Sequence, residues 1–230
     1  MPDRICIAID GPASSGKGTV ARMVARALGY AYVDTGAMYR AVALIALERG
    51  VSLADARAVA EVAASLDFSF RWDGEALRVR VDGRDVSEDI RAERVGKGAS
   101  DVAVHPPVRA ALLERQRALG AAGGVVMDGR DIGTVVLPAA ELKIFLDATP
   151  EERARRRTLE MHARGIEADY DRTLAEIRAR DHQDSTRAVA PLLPAPDALV
   201  LDSTHRSAAQ MAAEIEALAR RLVDDSPRPR

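Results

Sequence analysis

The stretch IDGPASSGKGT, residues 9–19, decides the fold of this chain. It follows Ile5–Ile9, a short run of apolar and β-branched residues that is typical of a buried parallel strand. Behind it, residues 19–28 place their apolar side chains at helical spacing. Glycines in such a loop let consecutive backbone N–H groups surround phosphate oxygens, and a helix N-terminus favours an anion. The pattern G-x-x-x-x-G-K, which ends at Lys17, therefore predicts a loop that binds a nucleoside triphosphate.

One position of this loop departs from the usual pattern. Gly18 follows the lysine, where most such loops have a serine or threonine that ligates Mg²⁺, and Thr19 comes one position later. This GKGT form resembles the nucleoside monophosphate kinases, in which the metal is held largely through water. We therefore expect Mg²⁺ to accompany ATP here without a direct protein ligand. The chain contains no asparagine, which the guanine-reading motif of GTPases requires.

Composition and charge exclude several other classes of protein. The chain has 230 residues, of which 47% are hydrophobic and 30% charged, so we expect a folded soluble protein. Its net charge of −2, with both signs intermixed, argues against a nucleic-acid partner. We expect the single cysteine, Cys6, to be buried. Because the chain has only this one cysteine, an intrachain disulfide is excluded. Because the chain shows neither a signal peptide nor an apolar run of about 20 residues, we expect a cytoplasmic location and no membrane partner.

Four further apolar segments complete a predicted parallel sheet of five strands. They cover Tyr30–Val33, Gly124–Met127, Leu142–Leu146 and Ala198–Leu201, and helical patterns separate them. Strands that alternate with helices indicate an α/β fold with right-handed parallel crossovers. The sequence therefore predicts one main sheet with helices packed on it.

Residues 66–95 interrupt this alternation. Aromatic and polar residues alternate between positions 68 and 72, and Asp-Gly pairs at 73–74 and 82–83 are turn signals. This pattern predicts a small antiparallel insertion with one solvent-exposed face. The sequence does not indicate the role of this insertion.

A cluster of arginines follows Thr149–Glu152, which has the residues of a capping box. The cluster contains Arg153, Arg155, Arg156 and Arg157. A solvated charged face is the default for such a run. Beside a phosphate-binding loop, however, we favour a mobile helical lid that closes arginines over transferring phosphates. Arg153 and Arg157 share one helix face by their spacing, so we predict that these two face the phosphates.

Two motifs place charged residues just after predicted strands. DTGAMYR, residues 34–40, ends on Arg40, whose planar guanidinium can hold a phosphate at the carboxyl edge of the sheet. DGRDIGTVV, residues 128–136, contains Arg130 and Asp131, and charges at a strand end are rarely placed there for packing. Arg130 can bind a phosphate, and Asp131 can accept hydrogen bonds from an amino group or a protonated ring.

A third motif, RDHQDSTRAVAPL, covers residues 180–192. Its Arg180, Asp184 and Arg187 share one face while the helix lasts. The alternative to a functional role is a surface salt bridge, which contributes only a few tenths of a kcal/mol.

Taken in order along residues 5–203, these motifs resemble those of the bacterial cytidylate kinases. GKGT is common to many small kinases, but DGRDIGTVV together with the hairpin insertion is more specific. The resemblance implies an α/β P-loop three-layer fold with a five-stranded parallel sheet, a small antiparallel β insertion and a helical lid. We expect a core P-loop domain of residues 1–35, 104–148 and 185–225, an acceptor (CMP)-binding domain of 36–103, and a lid with its following helix at 149–184.

The resemblance also implies transfer of the ATP γ-phosphoryl group to CMP or dCMP. The phosphates of ATP would lie against Gly11, Pro12, Ala13, Ser14, Ser15, Gly16, Lys17, Gly18 and Thr19. The catalytic groups would be Lys17, Arg130, Arg187, Arg153 and Arg157.

The same resemblance implies a set of residues that bind the acceptor nucleotide. Its phosphate would be held by Arg40, Arg130 and Arg187, and its cytosine would be read by Ser100, Arg109 and Asp131. Its sugar hydroxyls would bind Arg180 and Asp184, and the pocket would also include Thr35 and Tyr39.

Two alternatives stay open at this point. Another small-acceptor kinase, using UMP or a metabolite hydroxyl, would keep the loop and the lid but have a different acceptor pocket. A non-enzymatic nucleotide switch would bind ATP without turnover, although three acceptor-side arginines argue against it. We expect a monomer whose partners are small-molecule nucleotides.

Overall fold

The computed structural model describes residues 4–73 and 76–224. The strands within them are β1 (Cys6–Asp10), β2 (Ala31–Asp34), β3 (Phe68–Asp73), β4 (Ala76–Val81), β5 (Arg84–Asp85), β6 (Val125–Gly129), β7 (Leu142–Asp147) and β8 (Leu199–Asp202). The α-helices are α1 (Lys17–Leu28), α2 (Thr35–Glu48), α3 (Ala56–Ser65), α4 (Glu93–Ala103), α5 (Pro106–Gly120), α6 (Pro150–Ala163), α7 (Tyr170–Thr186) and α8 (Ala208–Asp224). A 3-10 turn covers Asp89–Arg91, and a π-helical turn covers Ile132–Val136.

The chain forms two compact units. The first unit comprises the chain up to Tyr32 and from Ala122 onward, and the second unit is Val33–Ala121. The division of the sequence into core, acceptor and lid domains stays a prediction.

The main sheet has five strands in the order β2-β6-β1-β7-β8. β1 is central and pairs in parallel with β6 on one side and β7 on the other, and β8 pairs in parallel with β7. Ile7 and Ile9 of β1 are fully buried, because helices cover both faces of such a sheet. The predicted five-stranded parallel sheet is therefore confirmed, with each strand within two residues of its predicted bounds.

The parallel register brings three functional segments to one edge of this sheet. Asp10, the last residue of β1, lies opposite Gly129 of β6 and Phe145 of β7. The glycine loop, the segment after β6 and the segment before α6 thus leave the sheet at the same carboxyl edge, where open α/β sheets bind ligands.

The second unit contains four helices, α2 to α5, and the antiparallel sheet β3-β4-β5. The turn between β4 and β5 is confirmed: Asp82 and Gly83 both have positive φ, +49° and +80°, as a type I′ turn requires. Val79 and Val81 of β4 are buried in the unit's core, whereas Trp72 of β3 is 39% exposed.

One helix of the second unit, α4, has no counterpart in the sequence prediction. Two glycines interrupt its sequence, and glycine is a poor helix former. At Gly98 a Cβ atom would lie 2.8 Å from Leu53 and 3.2 Å from Ala43, so α4 packs unusually close to its neighbours. Tertiary packing therefore forms a helix here that local propensity does not predict.

Smaller expectations concern Cys6, membrane-spanning helices, the turn at 73–74 and the C-terminal tail. Cys6 was expected to be buried but is only partly buried, because it is the first residue of β1. Partial burial is the main cause that raises the pKa of its thiol, and the negative charge of Glu141 adds to this shift. No helix in the described ranges combines the length and apolar character that a membrane span needs. The turn predicted at 73–74 extends beyond the described residues, as does the tail after Asp224, for which the sequence predicts disorder.

Candidate nucleotide-binding site

The loop between β1 and α1 has the backbone of an anion cradle. Gly11 and Gly16 have φ of +151° and +89°, and Ser14 also lies in the left-handed region. A Cβ atom on Gly11 would stand 2.1 Å from the carbonyl oxygen of Leu146, so no side chain fits there. The ammonium of Lys17 curls back over the loop and donates to the carbonyl of Pro12 at 3.0 Å. The loop therefore has the conformation that its glycine spacing predicts.

Ser15 connects this loop to two other segments of the first unit. Its carbonyl oxygen accepts hydrogen bonds from Ser203 Oγ at 3.0 Å and Arg156 Nη1 at 3.4 Å. Its own hydroxyl is completely buried and has no hydrogen-bond partner in the described structure. Because buried hydroxyls normally have a partner, this group points to a ligand oxygen or an ordered water at the loop.

A cavity of about 590 Å³ opens beside the loop. Arg156 lies in its wall, held by Glu152 at 2.8 Å and Ser203 Oγ at 3.1 Å, and its Nη1 would be 3.7 Å from a Cβ on Gly16. Met211 and Val20 supply apolar surface. This combination of guanidinium and apolar lining suits an anionic ligand that carries a flat ring. The remaining lining comes from the loop, from α6 and from the segment before α8: Ser15, Thr19, Arg155 and residues 203–208.

The arginines of the predicted lid differ in burial and in their hydrogen-bond partners. Arg153 is 3% exposed and bonds to the carboxylate of Asp181, with a further bond at 3.2 Å to the carbonyl of Ala13 in the loop. Arg157 pairs with Glu160 on the outside of α6. The prediction that Arg153 and Arg157 face the transferring phosphates stays a prediction. Of the four arginines in this run, Arg155 and Arg156 line the cavity, and the spacing argument selected neither of them.

Glu152 explains how two of these arginines are held. As predicted, the Thr149 side chain caps α6 by accepting from the Glu152 backbone at 3.3 Å. The Glu152 carboxylate, however, accepts from Arg155 and Arg156 instead of returning to the cap as a capping box requires. The hydrogen bond from Arg155 is the largest cause that lowers the pKa of Glu152 to about 2.

Asp128 and Tyr32 occupy the space beside Gly18. The phenol of Tyr32 donates to Asp128 Oδ1 at 2.9 Å. A Cβ on Gly18 would meet the Tyr32 oxygen at 3.4 Å and Asp128 Oδ2 at 3.7 Å. Most such loops have a hydroxyl side chain at the position of Gly18. In this chain the space beside Gly18 is instead lined by the carboxylate of Asp128 and the phenol of Tyr32. Asp128 is the first residue of the DGRDIGTVV motif, but it was not among the site residues predicted from the sequence.

Asp10 joins the glycine loop to the segment after β6. Its two carboxylate oxygens accept from the backbone N–H groups of Ile132 and Gly133, each at 2.8 Å, and thus cap the π-helical turn. Burial raises the pKa of Asp10 to about 6; the two backbone hydrogen bonds and Lys17 oppose this shift, and Asp131 adds to it. Asp10 therefore fixes the backbone directly behind Arg130 and Asp131.

Five of the predicted acceptor residues form one cluster in the first unit. Arg130 Nε donates to Asp184 Oδ2 at 2.9 Å, while Arg187 lies 3.8 Å from Asp184 and 3.7 Å from Asp131. Burial raises the pKa of Asp184, but the guanidiniums of Arg130 and Arg180 outweigh it and hold this pKa below its usual value. Three guanidiniums and two carboxylates leave one positive charge in excess, so the cluster favours an anion. We call it the arginine cluster.

The remaining predicted acceptor residues belong to the second unit. Arg109 is buried, stacks 5.6 Å over the ring of Tyr39 and donates to the carbonyl of Ala103 at 3.4 Å. Thr35 and Arg40 belong to the first two turns of α2. Ser100 lies on α4, which packs against α2.

Fold and site together define a class of protein. A phosphate-binding loop at the carboxyl edge of a parallel sheet, flanked by guanidinium groups, is the layout of a P-loop phosphotransferase. A family model described as Cytidylate kinase matches residues 7–221. The chain belongs to the cytidylate kinase family, and the resemblance seen in its motifs is confirmed.

Individual relatives agree with the family model over most of the chain. A cytidylate kinase of Pelotomaculum thermopropionicum is 56% identical over 197 residues, which cover 85% of this chain and 87% of that protein. A cytidylate kinase of Pseudomonas paraeruginosa is 53% identical over 203 residues, covering 87% and 89%. A cytidylate kinase of Aliivibrio salmonicida is 49% identical over 208 residues, covering 90% and 93%.

Proposed function

We infer that this chain is a kinase that transfers the γ-phosphoryl group of ATP to CMP or dCMP, giving the diphosphate and ADP. The observation that carries this inference is the family match over residues 7–221, because that range includes both the glycine loop and the arginine cluster. A nucleotide switch is disfavoured, since the three relatives described above are cytidylate kinases.

We propose that the donor, ATP, binds at the glycine loop with its adenosine in the neighbouring cavity. The loop amides and the N-terminus of α1 would bind the phosphates, with Lys17 beside the outer ones. The cavity's volume of about 590 Å³ suits a nucleoside. Arg156 is already held at the cavity wall by Glu152, so it would offer its guanidinium without reordering.

The residues around Gly18 fit a magnesium ion that is held through water. Within the ranges that the structure describes, no three acidic, histidine or cysteine side chains form a metal-binding cluster. The Asp128 carboxylate and the Thr19 hydroxyl would bind metal-bound waters, which agrees with the water-held metal expected from the GKGT sequence. Mg²⁺ bound with ATP would offset charge on the phosphate oxygens.

For the acceptor, we propose that Arg40, Arg130 and Arg187 bind the phosphate of CMP. Cytosine would be read by Ser100, Arg109 and Asp131, and the sugar by Arg180 and Asp184. Thr35 and Tyr39 would complete the pocket. The excess positive charge of the arginine cluster and the buried position of Arg109 support these assignments.

The proposed chemistry depends on positioning and cations. The transferred group spreads negative charge over its oxygens in the transition state, and preorganised guanidinium and ammonium groups stabilise that charge. Lys17, Arg130 and Arg187 would supply these charges, together with lid arginines. Because the second pKa of a phosphate ester is about 6, the acceptor oxygen is ionised near neutral pH and needs no strong general base. Excluding water from the site would prevent hydrolysis of ATP.

We also propose that the chain acts as a monomer with a core domain (1–35, 104–148, 185–225), an acceptor domain (36–103) and a lid (149–184). The net charge of −2 supports the absence of a nucleic-acid partner.

A panel of acceptors tests the proposed function. ADP release from Mg²⁺·ATP would be measured with CMP, dCMP, UMP, AMP, GMP and without acceptor. We expect CMP and dCMP to give the highest kcat/KM and the acceptor-free rate to be negligible. The variant Lys17→Ala controls for contaminating kinases and should lose this activity. Preference for UMP, or ADP release that no acceptor stimulates, would refute the proposal.

A further inference from the structure

Asp34 caps a helix and binds an arginine at the junction of β2 and α2. One carboxylate oxygen, Oδ1, accepts from the backbone N–H of Ala37 at 2.9 Å and so caps α2. The other, Oδ2, accepts from Arg40 Nη2 at 2.7 Å. Because the capping bond fixes the carboxylate, the partner guanidinium is bound to a rigid acceptor and not to a mobile surface side chain.

Gly36 provides the space for this pair. A Cβ atom there would lie 3.1 Å from Asp34 Oδ1 and 3.2 Å from Arg40 Nη1, so any side chain would press on both groups. Gly36 is not among the glycines with positive φ, so its backbone conformation does not require glycine. Glycine inside a helix costs about 0.5–1 kcal/mol relative to alanine. Room for the ion pair is therefore the physical reason for a glycine at this position.

Another aspartate of this chain shows that helix capping alone does not need such an ion pair. Asp55 caps α3 by accepting from the backbone of Arg57 and Ala58, while the side chain of Arg57 turns to Glu61. Helix capping alone therefore does not account for the ion pair at Asp34.

We propose that Asp34 is a positioning residue that fixes the guanidinium plane of Arg40 for the acceptor's phosphate, in the space that Gly36 leaves open. This inference rests on the proposed function, in which Arg40 binds the phosphate of CMP. A guanidinium is planar, so a strong bond to one nitrogen restricts the whole group. Ordering a long side chain on binding costs about 0.5–1.5 kcal/mol, and Asp34 removes part of that cost before the acceptor arrives.

The variant Asp34→Asn tests the proposal, because asparagine caps helices as well as aspartate but carries no charge. The matched control is Asp55→Asn, which makes the same change at another helix cap. Dissociation constants of CMP and of cytidine, KM for CMP and for ATP, and Tm would be measured for both variants. We expect Asp34→Asn to weaken CMP binding about five- to tenfold, while cytidine binding, KM for ATP and Tm match those of the control. Gly36→Ala should show the same selective loss.

Each other result overturns the proposal. Equal weakening of CMP and cytidine would indicate a general defect of the site. Unchanged CMP binding would show that Arg40 needs no partner, and tighter CMP binding would show that Asp34 competes with the phosphate. These results are distinct from failure of the proposed function, which would appear as a wild-type protein that does not phosphorylate CMP.

Discussion

The glycine loop and the arginine cluster of the first unit are both built to hold anions, but from different parts of the chain. The loop relies mainly on the backbone of nine contiguous residues, two of which are glycines with positive φ. The ammonium of Lys17 is the one side-chain cation among these nine residues. The cluster uses side chains from separate segments, such as Arg130 after β6 and Arg187 after α7, and it buries carboxylates between them.

This difference determines how each site depends on its surroundings. Backbone N–H groups carry no net charge, so the loop needs only space and the correct dihedral angles. Buried guanidiniums repel one another and lose hydration, so the cluster needs Asp184 to hold it together before any ligand binds. The loop should therefore be sensitive to steric change, and the cluster to loss of charge.

Gly11→Ala is expected to have the largest effect on nucleotide binding. Its Cβ would collide with the Leu146 carbonyl at 2.1 Å, and the φ of +151° adds strain of about 1–3 kcal/mol, so the loop must move. We expect ATP binding to weaken at least about 100-fold, because the amides would no longer converge on the phosphates. Titration calorimetry with ATP measures this loss.

Gly29→Ala is the matched control for that variant. Gly29 also has positive φ, +65°, at the other end of α1, but a Cβ there would meet nothing within 4 Å. This variant should lose some stability and retain ATP affinity. If the two variants bind ATP equally, close packing at Gly11 does not shape the loop.

Asp184→Asn should have its main effect on the stability of the fold rather than on the loop. It removes the carboxylate that faces Arg130 and Arg187, and breaking a buried ion pair costs about 3–5 kcal/mol. Urea unfolding without ligand should show this loss. Because the remaining guanidiniums then lack a counter-charge, added inorganic phosphate should raise the Tm of the variant more than that of the wild type.

The control for this experiment lies on the same helix. Glu176→Gln breaks an exposed i,i+4 pair with Arg172, and such pairs contribute little. Equal loss of stability in the two variants, or no extra response of Asp184→Asn to phosphate, would mean that charge balance does not hold the cluster together.

The same contrast explains how much the sequence predicts. The loop and the five parallel strands are local features, because glycine spacing and continuous apolar runs identify them without knowledge of partners. Helix α4 was not predicted, since its close packing on α2 and not its own sequence makes it stable.

The site shows the same limit in its side chains. Four arginines within five positions of α6 look alike in sequence, and their partners lie far along the chain: Asp181 is 28 residues from Arg153, and Ser203 is 47 from Arg156. Spacing selected Arg153 and Arg157, whereas the fold brings Arg155 and Arg156 to the cavity. A signal was present in Glu152, which stands four residues before Arg156 and can bond to it on the same helix face.

Asp10 belongs to both sites, because it ends the strand before the loop and caps the turn behind Arg130 and Asp131. The pKa of Asp10 is about 6, compared with an ordinary value of 3.8. This raised pKa predicts that the stability of the folded protein falls as pH rises. Between pH 3.8 and 6 the Asp10 carboxyl keeps its proton in the folded protein but loses it in the unfolded chain. Its contribution to the free energy of unfolding is therefore complete below pH 3.8 and is lost as pH rises through 6. The change should be about 2 kcal/mol between pH 4.5 and 7.

Asp10→Asn measures this change, the smallest of the three. Urea unfolding of the ligand-free protein avoids the titration of nucleotide phosphates, and the wild-type advantage over the variant should shrink as pH rises. Lys17 and Asp131 face the carboxylate with opposite signs, so both must stay unchanged in the comparison. Glu152→Gln is the control: the pKa of Glu152 is lowered from 4.5 to about 2, so its contribution is lost only as pH falls below about 4.5 and should stay nearly constant between pH 4.5 and 7. A wild-type advantage that is constant across this pH range would show that Asp10 does not hold a raised pKa, and that its bonds to Ile132 and Gly133 compensate for burial.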